Sequence, residues 1–244
     1  MPVIDCYGQL GPQTYLTSAT DVTSLETMMT RFGVDTAIVV AKEAVKGSMK
    51  HGNQWLYEQI SDKPNLRGYC VVDPIRFDDS QEEMRRHLVK ECFVGAVLHD
   101  GYSARPLNSV SMIELVKSLL RYDAPLLIDI GDDVRRINDL QEVALMYPTQ
   151  RFIILHMGRE NWPMAILLAA KSTNIYLEIG GIVADSGKLS EAVNILGPHR
   201  LLFGSGMPYV NPSYTLGVVA DSNITNMDKE KILFRNAKKI FLIE

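Results

Sequence analysis

Eight short apolar runs alternating with helical segments predict an α/β protein, a single-domain (β/α)8 TIM barrel spanning residues 1–244. Two further observations narrow the choice. The runs read as strands buried in a parallel sheet, and several stop on an ionisable residue. A length of 244 residues also suits one barrel, or else two small domains. A doubly wound open sheet competes, but no Gly-x-Gly-x-x-Gly follows any strand. The chain shows no internal linker, low-complexity segment or repeat beyond the βα unit itself.

Each element has a local signal. Val3 to Gly8 reads as the first strand; a Gly/Pro loop and a helix from Val22 to Phe32 follow, with Asp21 placed as its cap. Thr36 to Ala41 is the second strand, and a helix around Asn53 to Ile60 leads through Pro64 to the third, Leu66 to Val72. Asp73-Pro74 ends that strand because proline has no N–H to donate. Good helix formers fill Asp78 to Glu91, and Val94 to His99 is strand four. Asn108 to Tyr122 carries Met112, Leu115, Val116, Leu119 and Leu120 at core-facing spacing, and Pro125 to Asp129 is strand five. A helix over Val134 to Met146 precedes strand six, Phe152 to His156. A helix over Trp162 to Lys171, strand seven over Ile175 to Ile179, a helix over Leu189 to Leu196 and strand eight over Leu201 to Ser205 follow. Helices near Tyr214 to Ala220 and Lys229 to Phe241 close the chain.

Composition bounds the function. With 46% hydrophobic and 22% charged residues the chain can bury a sizeable core, and a net charge of -4 without a basic stripe gives nucleic acid little reason to bind. Cys6, Cys70 and Cys92 are odd in number and lack a Cys-x-x-Cys relation, which argues against a disulfide framework or zinc ribbon and for a reducing, cytoplasmic setting. Met1-Pro2 leads straight into a strand, so export is not expected; the longest apolar stretch, Met164 to Ala170, is too short for a bilayer, so no membrane span is expected.

In a parallel barrel, ligands bind at the carboxyl ends of the strands. The strand ends here bring Asp5, Tyr7, Gln9, Asp73, His99, Asp129, His156, Glu178 and Ser205 to one rim, where ionisable groups perturb one another's pKa. Alternation along the first strand sets Asp5, Tyr7 and Gln9 toward the mouth, while Cys6 faces the helices as core rather than nucleophile. Any single member could instead cap a helix or fill the mouth; it is the number of them at this face that points to a site.

Several of these stretches together resemble the amidohydrolase superfamily, in its amidohydrolase-related group of aminocarboxymuconate semialdehyde decarboxylase and pyrone dicarboxylate lactonase. Ile4-Asp5-Cys6-Tyr7-Gly8-Gln9 stands where that family has Ile-Asp-x-His-x-His, and Gly68 to Pro74 resembles its Gly-x-x-x-x-Asp-Pro. Arg151 to Gly158 is similar to its strand ending in His-x-Gly, Leu202 to Pro208 to its Leu-Phe-Gly-Ser-Asp-x-Pro, and Phe234 to Phe241 to its closing helix. The resemblance implies a divalent metal on four places which here hold Tyr7, Gln9, Asp129 and Gly206, a degenerate metal site lacking good ligands. It also implies a substrate-facing role for the retained His156.

The expectation is a small-molecule hydrolase for an ester, lactone or amide that works without a metal cofactor. His156 is the acid/base, Asp129 its partner or a general base, and Tyr7 a donor to an oxyanion; Gln9, His99, Glu178 and Ser205 contact substrate. A catalytically silent barrel that binds a small ligand or a protein partner is the alternative. A third reading is a metal-dependent hydrolase or decarboxylase with one divalent metal on a rearranged set of His99, Asp129, His156 and Glu178. Compact loops leave room for a second subunit, in a homo-oligomer, to supply part of the pocket wall.

Overall fold

The computed structural model describes residues 1–11, 20–99, 106–131, 133–181 and 185–243. Eight parallel strands form one sheet in sequence order: β1 (Ile4–Leu10), β2 (Thr36–Ala41), β3 (Leu66–Val71), β4 (Phe93–Leu98), β5 (Leu126–Ile128), β6 (Phe152–Ile154), β7 (Ile175–Glu178) and β8 (Leu201–Leu202). Around them run α1 (Val22–Phe32), α2 (Lys42–Lys46), α3 (Met49–Ile60), α4 (Phe77–His87), α5 (Val110–Leu119), α6 (Arg135–Met146), α7 (Trp162–Lys171), α8 (Ser186–Leu196), α9 (Ser213–Asp221), α10 (Asn226–Glu230) and α11 (Asn236–Ile240). The TIM barrel expected from the strand count is the fold observed.

The barrel closes through a seam. β8 pairs with β7 over two residues, and beyond it single bonds reach β1: the Cys6 N–H to the Phe203 carbonyl at 2.8 Å, the Gly206 N–H to Tyr7 at 2.7 Å and the Gln9 N–H to Met207 at 2.9 Å. The Asp5 carboxylate adds to the seam by accepting the Ser205 N–H at 3.0 Å and the Ser205 hydroxyl. β1 bulges between Asp5 and Gly8, so two residues face one on β2. Gly8 is required there, because a Cβ would lie 2.9 Å from Val39 Cγ1.

The helices bury the faces their periodicity marks. In α1, Val22, Leu25 and Met29 pack inward, and the Asp21 side chain caps the helix by accepting the Ser24 N–H at 2.8 Å. Some details differ from the sequence reading. β4, β5 and β6 stop one or two residues before His99, Asp129 and His156, where the neighbouring ladder ends. The short α2 carries only five residues, too few to show a period. The closing helix is interrupted by a wider π-helical stretch, Lys231–Arg235, between α10 and α11.

Candidate active site

The turn after β6 is the most unusual backbone in the described chain. His156, Met157, Gly158 and Arg159 all take positive φ, at 54, 51, 81 and 55°. For side chains other than glycine this costs of order 1–3 kcal/mol each, and such strain concentrates at functional sites. The neighbouring glycines make room: a Cβ on Gly181 would come within 2.9 Å of His156 Nδ1, and one on Gly180 within 2.4 Å of Glu178 Oε1.

Glu178 anchors this turn. It is fully buried at the end of β7, where Oε1 accepts the Gly180 N–H at 2.5 Å and Oε2 the His156 N–H at 2.9 Å. The imidazole Nδ1 lies 3.3 Å from the same Oε2, an ion-pair distance rather than an aligned hydrogen bond. Burial works against a charged imidazole, but the attraction of Glu178, with Asp129 behind it, outweighs burial and holds His156 above the ordinary histidine range. The His156 side chain keeps 18% of its surface exposed.

Tyr7 stands edge-on to the His156 ring, with centroids 5.5 Å apart, and its hydroxyl accepts the Gln9 amide at 2.8 Å. Burial drives the Tyr7 pKa upward, so the phenol stays protonated as a donor. Asp129, at the end of β5, accepts the Gly131 N–H at 3.0 Å and holds the Arg159 guanidinium at 2.5 Å. His99 Nε2 lies 3.7 Å from the same Asp129 oxygen. Ser205 is fully buried and tied to Asp5 at the seam, while its oxygen also accepts the Met207 N–H at 3.0 Å.

Two groups thus emerge at one mouth. Tyr7, Gln9, His156 and Glu178 form the first, and Asp129, His99 and Arg159 the second; the field of Asp129 on both His156 and Tyr7 joins them. The carboxylate in contact with His156 is Glu178, whereas Asp129 is engaged by Arg159. Arg159 escaped the sequence reading; it directly follows the His156-Met157-Gly158 stretch. Asp5 accepts three donors but is fully desolvated, and burial pushes its carboxyl up to about 7. Asp73 instead caps the turn that follows it, accepting the Ile75 N–H.

Among the described residues, no group of three or more His, Cys, Asp and Glu side chains is placed to hold a metal. Tyr7 and Gln9 bond to each other, Gly206 offers no side chain, and Asp129 faces a guanidinium. No helix among the described residues is long and apolar enough to cross a membrane.

A family model described as Amidohydrolase matches residues 17–243. No curated protein matches the sequence. Among solved structures, 5-carboxyvanillate decarboxylase from Sphingomonas paucimobilis is similar over 99% of both chains, at 13% identity and a TM-score of 0.81. An amidohydrolase from Burkholderia multivorans with bound zinc is similar over 100% of both, at 16% identity and 0.80. A dihydroxybenzoic acid decarboxylase from Polaromonas, holding manganese and 2-nitroresorcinol, is similar over 98% of this chain and 96% of that one, at 17% identity and 0.80. At these identities the likeness is one of fold.

Proposed function

The chain belongs to the amidohydrolase family, and from that premise we propose that it is a small-molecule enzyme that hydrolyses an ester, lactone or amide through His156 and Glu178. The observation that carries this reading is the strained turn that sets the His156 imidazole against a buried carboxylate at the barrel mouth. An imidazole held by a carboxylate on one nitrogen can take and return a proton on the other. Nδ1 is turned to Glu178, so Nε2 is left for the substrate.

His156 takes a proton from the water that attacks the carbonyl carbon. The resulting oxyanion is met by the Tyr7 hydroxyl and by Arg159, and His156 returns the proton to the departing oxygen or nitrogen. Asp129 orients Arg159, whose side chain keeps 32% of its surface exposed, and that guanidinium together with the Gln9 amide and His99 favours a substrate that carries a carboxylate. Glu178 and Ser205 are fully buried and hold His156 and the seam in place, at one remove from the substrate. At the places that the family resemblance assigns to a metal, the side chains present, a phenol, an amide and a guanidinium-bound carboxylate, are poor partners for the divalent metal held by some of the similar structures.

Decarboxylation is the second reading, favoured by the decarboxylases among the similar structures. A hydroxybenzoate would lose its carboxylate as carbon dioxide, and the ring carbon left with the electron pair would take a proton from His156, whose raised pKa suits a donor.

The test is a panel of lactones, esters and amides, with and without a carboxylate, alongside hydroxybenzoates assayed for carbon dioxide release. Wild type is compared before and after chelation. Hydrolysis that survives chelation is expected. Hydrolysis or decarboxylation lost on chelation and restored by manganese or zinc would transfer the reading to a metal enzyme, and no turnover across the panel would leave a ligand-binding barrel.

A further inference from the structure

We propose that the barrel carries a second small-molecule site, at the end opposite His156, which takes a small organic carboxylate with an apolar body. A cavity of about 460 Å³ opens there between the start of β3, the start of β4, the turn before β5 and the residues that follow α11. That volume lies within the range of ligand pockets. The amino-terminal face of such a barrel is seldom catalytic, so the site is assigned binding alone.

Backbone geometry singles out this cavity. Among the described residues, five other than glycine have positive φ: Asp123, His156, Met157, Arg159 and Leu242. Three of them form the turn at the mouth, and the other two both line the cavity. Strain of this kind gathers at functional sites. Asp123 and Leu242 each follow a helical turn, where glycine or asparagine ordinarily takes the left-handed conformation. Aspartate tolerates it; leucine does not. Leu242, at φ 54°, is also 62% exposed, so it combines a strained backbone with an apolar side chain in water. Val89 belongs to the same lining and is 65% exposed. An apolar group bound in the cavity would cover both.

The charge of the lining selects an anion. Arg67 is half-buried, and its Nη1 donates to the carbonyls of Pro64 at 2.8 Å and Leu66 at 2.9 Å, which holds the guanidinium in one orientation. Among the described residues its Nε and Nη2 make no hydrogen bond and it has no carboxylate partner. Those two donors form the edge that receives a carboxylate side-on. The acids of the lining are matched already: Asp123 pairs with Arg151 at 3.0 Å, and the exposed Glu91 is balanced by its neighbour Lys90, whose Nζ lies 5.3 Å over the Tyr57 ring. What is left is one fixed guanidinium beside an exposed leucine and valine. That combination fits a carboxylate on a hydrocarbon or aromatic body.

Hydrocinnamate is the probe, with hydrocinnamide as its neutral counterpart, and methyl NMR of the full chain reads binding at the cavity itself. The Val89 and Leu242 methyl signals, assigned by substitution, are expected to shift saturably with a Kd of about 1 mM or tighter. The amide should bind roughly tenfold more weakly or worse. Arg67→Gln should weaken binding of hydrocinnamate roughly 10-fold to 100-fold, and Arg67→Lys, which keeps the charge without the fork, should fall between that variant and wild type. Leu242→Gly, read at Val89, should weaken binding while the melting temperature holds or rises, because glycine relieves the strained backbone. Circular dichroism verifies folding of each variant. No saturable shift of these methyls below about 10 mM would overturn the proposal, as would shifts confined to the His156 mouth, equal binding of the amide, or undiminished binding by folded Arg67→Gln.

Discussion

Among the described residues, two glutamate–histidine pairs have the same separation and opposite surroundings. Glu178 Oε2 lies 3.3 Å from His156 at the barrel mouth, and Glu83 Oε2 lies 3.3 Å from His87 one helical turn away within α4. His87 is 1% exposed and its ring packs on Phe93, with centroids 5.0 Å apart. Glu83 is fully buried, accepts the Asn53 amide at 3.0 Å and helps to tie α3 and α4 to β3, whose Val71 N–H and carbonyl both bond Asn53. The chemical groups match, but only His156 sits on a strained turn with part of its ring toward solvent. A carboxylate–imidazole pair gains a chemical role from its place at a strand end, where backbone geometry aims it outward. Between two helices and a sheet, the same pair is a polar rivet.

The largest difference should follow from breaking the two pairs one at a time. His156→Asn should lower turnover of a true substrate by about 10²–10⁴-fold, the usual worth of acid/base assistance, and leave the melting temperature nearly unchanged. Steady-state kinetics with thermal melts check both halves, and equal activity in the variant would remove His156 from the mechanism.

Glu83→Ala should do the reverse. It takes the carboxylate from one Asn53 N–H and from the His87 ring in an apolar interior, so stability should fall by about 3 kcal/mol while kcat holds. Urea unfolding and the same kinetic assay decide this. A loss of activity without a loss of stability would show that the second pair also does chemistry.

Glu178→Gln should have an intermediate effect and separate charge from shape. The amide can still accept a backbone N–H, but the charge that holds the His156 pKa up is gone. The acidic limb of the pH–rate profile should therefore move to lower pH, and turnover should fall by roughly 10-fold to 100-fold. An unmoved limb would assign it to another group, with His99 next in reach of Asp129.

The barrel was legible because eight buried strands and their helices each carry a local hydrophobic signal. The rim was legible for the same reason, since strand ends can be read from the sequence; Tyr7, Gln9, His99, Asp129, His156 and Glu178 all lie there. Pairing across the rim was not legible. His156 contacts Glu178, 22 residues away, through a left-handed turn that no periodicity announces, and that same turn brings Arg159 to Asp129. The clue lay in glycine: Gly158, Gly180 and Gly181 mark where backbone and side chains crowd.

Asp5 sharpens the contrast, because it is another buried carboxylate and its hydrogen bonds come from Tyr7 and Ser205, with no histidine among them. Desolvation lifts its carboxyl from 3.8 to about 7. Between these values the folded protein binds a proton that the unfolded chain has lost, so the slope of stability against pH is negative. The contribution is fully present below the unfolded pKa, declines as pH rises through about 7, and is flat above. For a carboxyl that titrates at about 7, the decline should be on the order of 2 kcal/mol from about pH 5 to about pH 7. Asp5→Asn keeps an oxygen for the two N–H donors and removes the titration, so its stability should lose that dependence and equal or exceed wild type at alkaline pH. Urea unfolding across this range is the measurement. A wild type whose stability rises over the same interval would mean that Asp5 is ionised in the fold, and that the seam supplies enough donors to hold a buried charge without a cation.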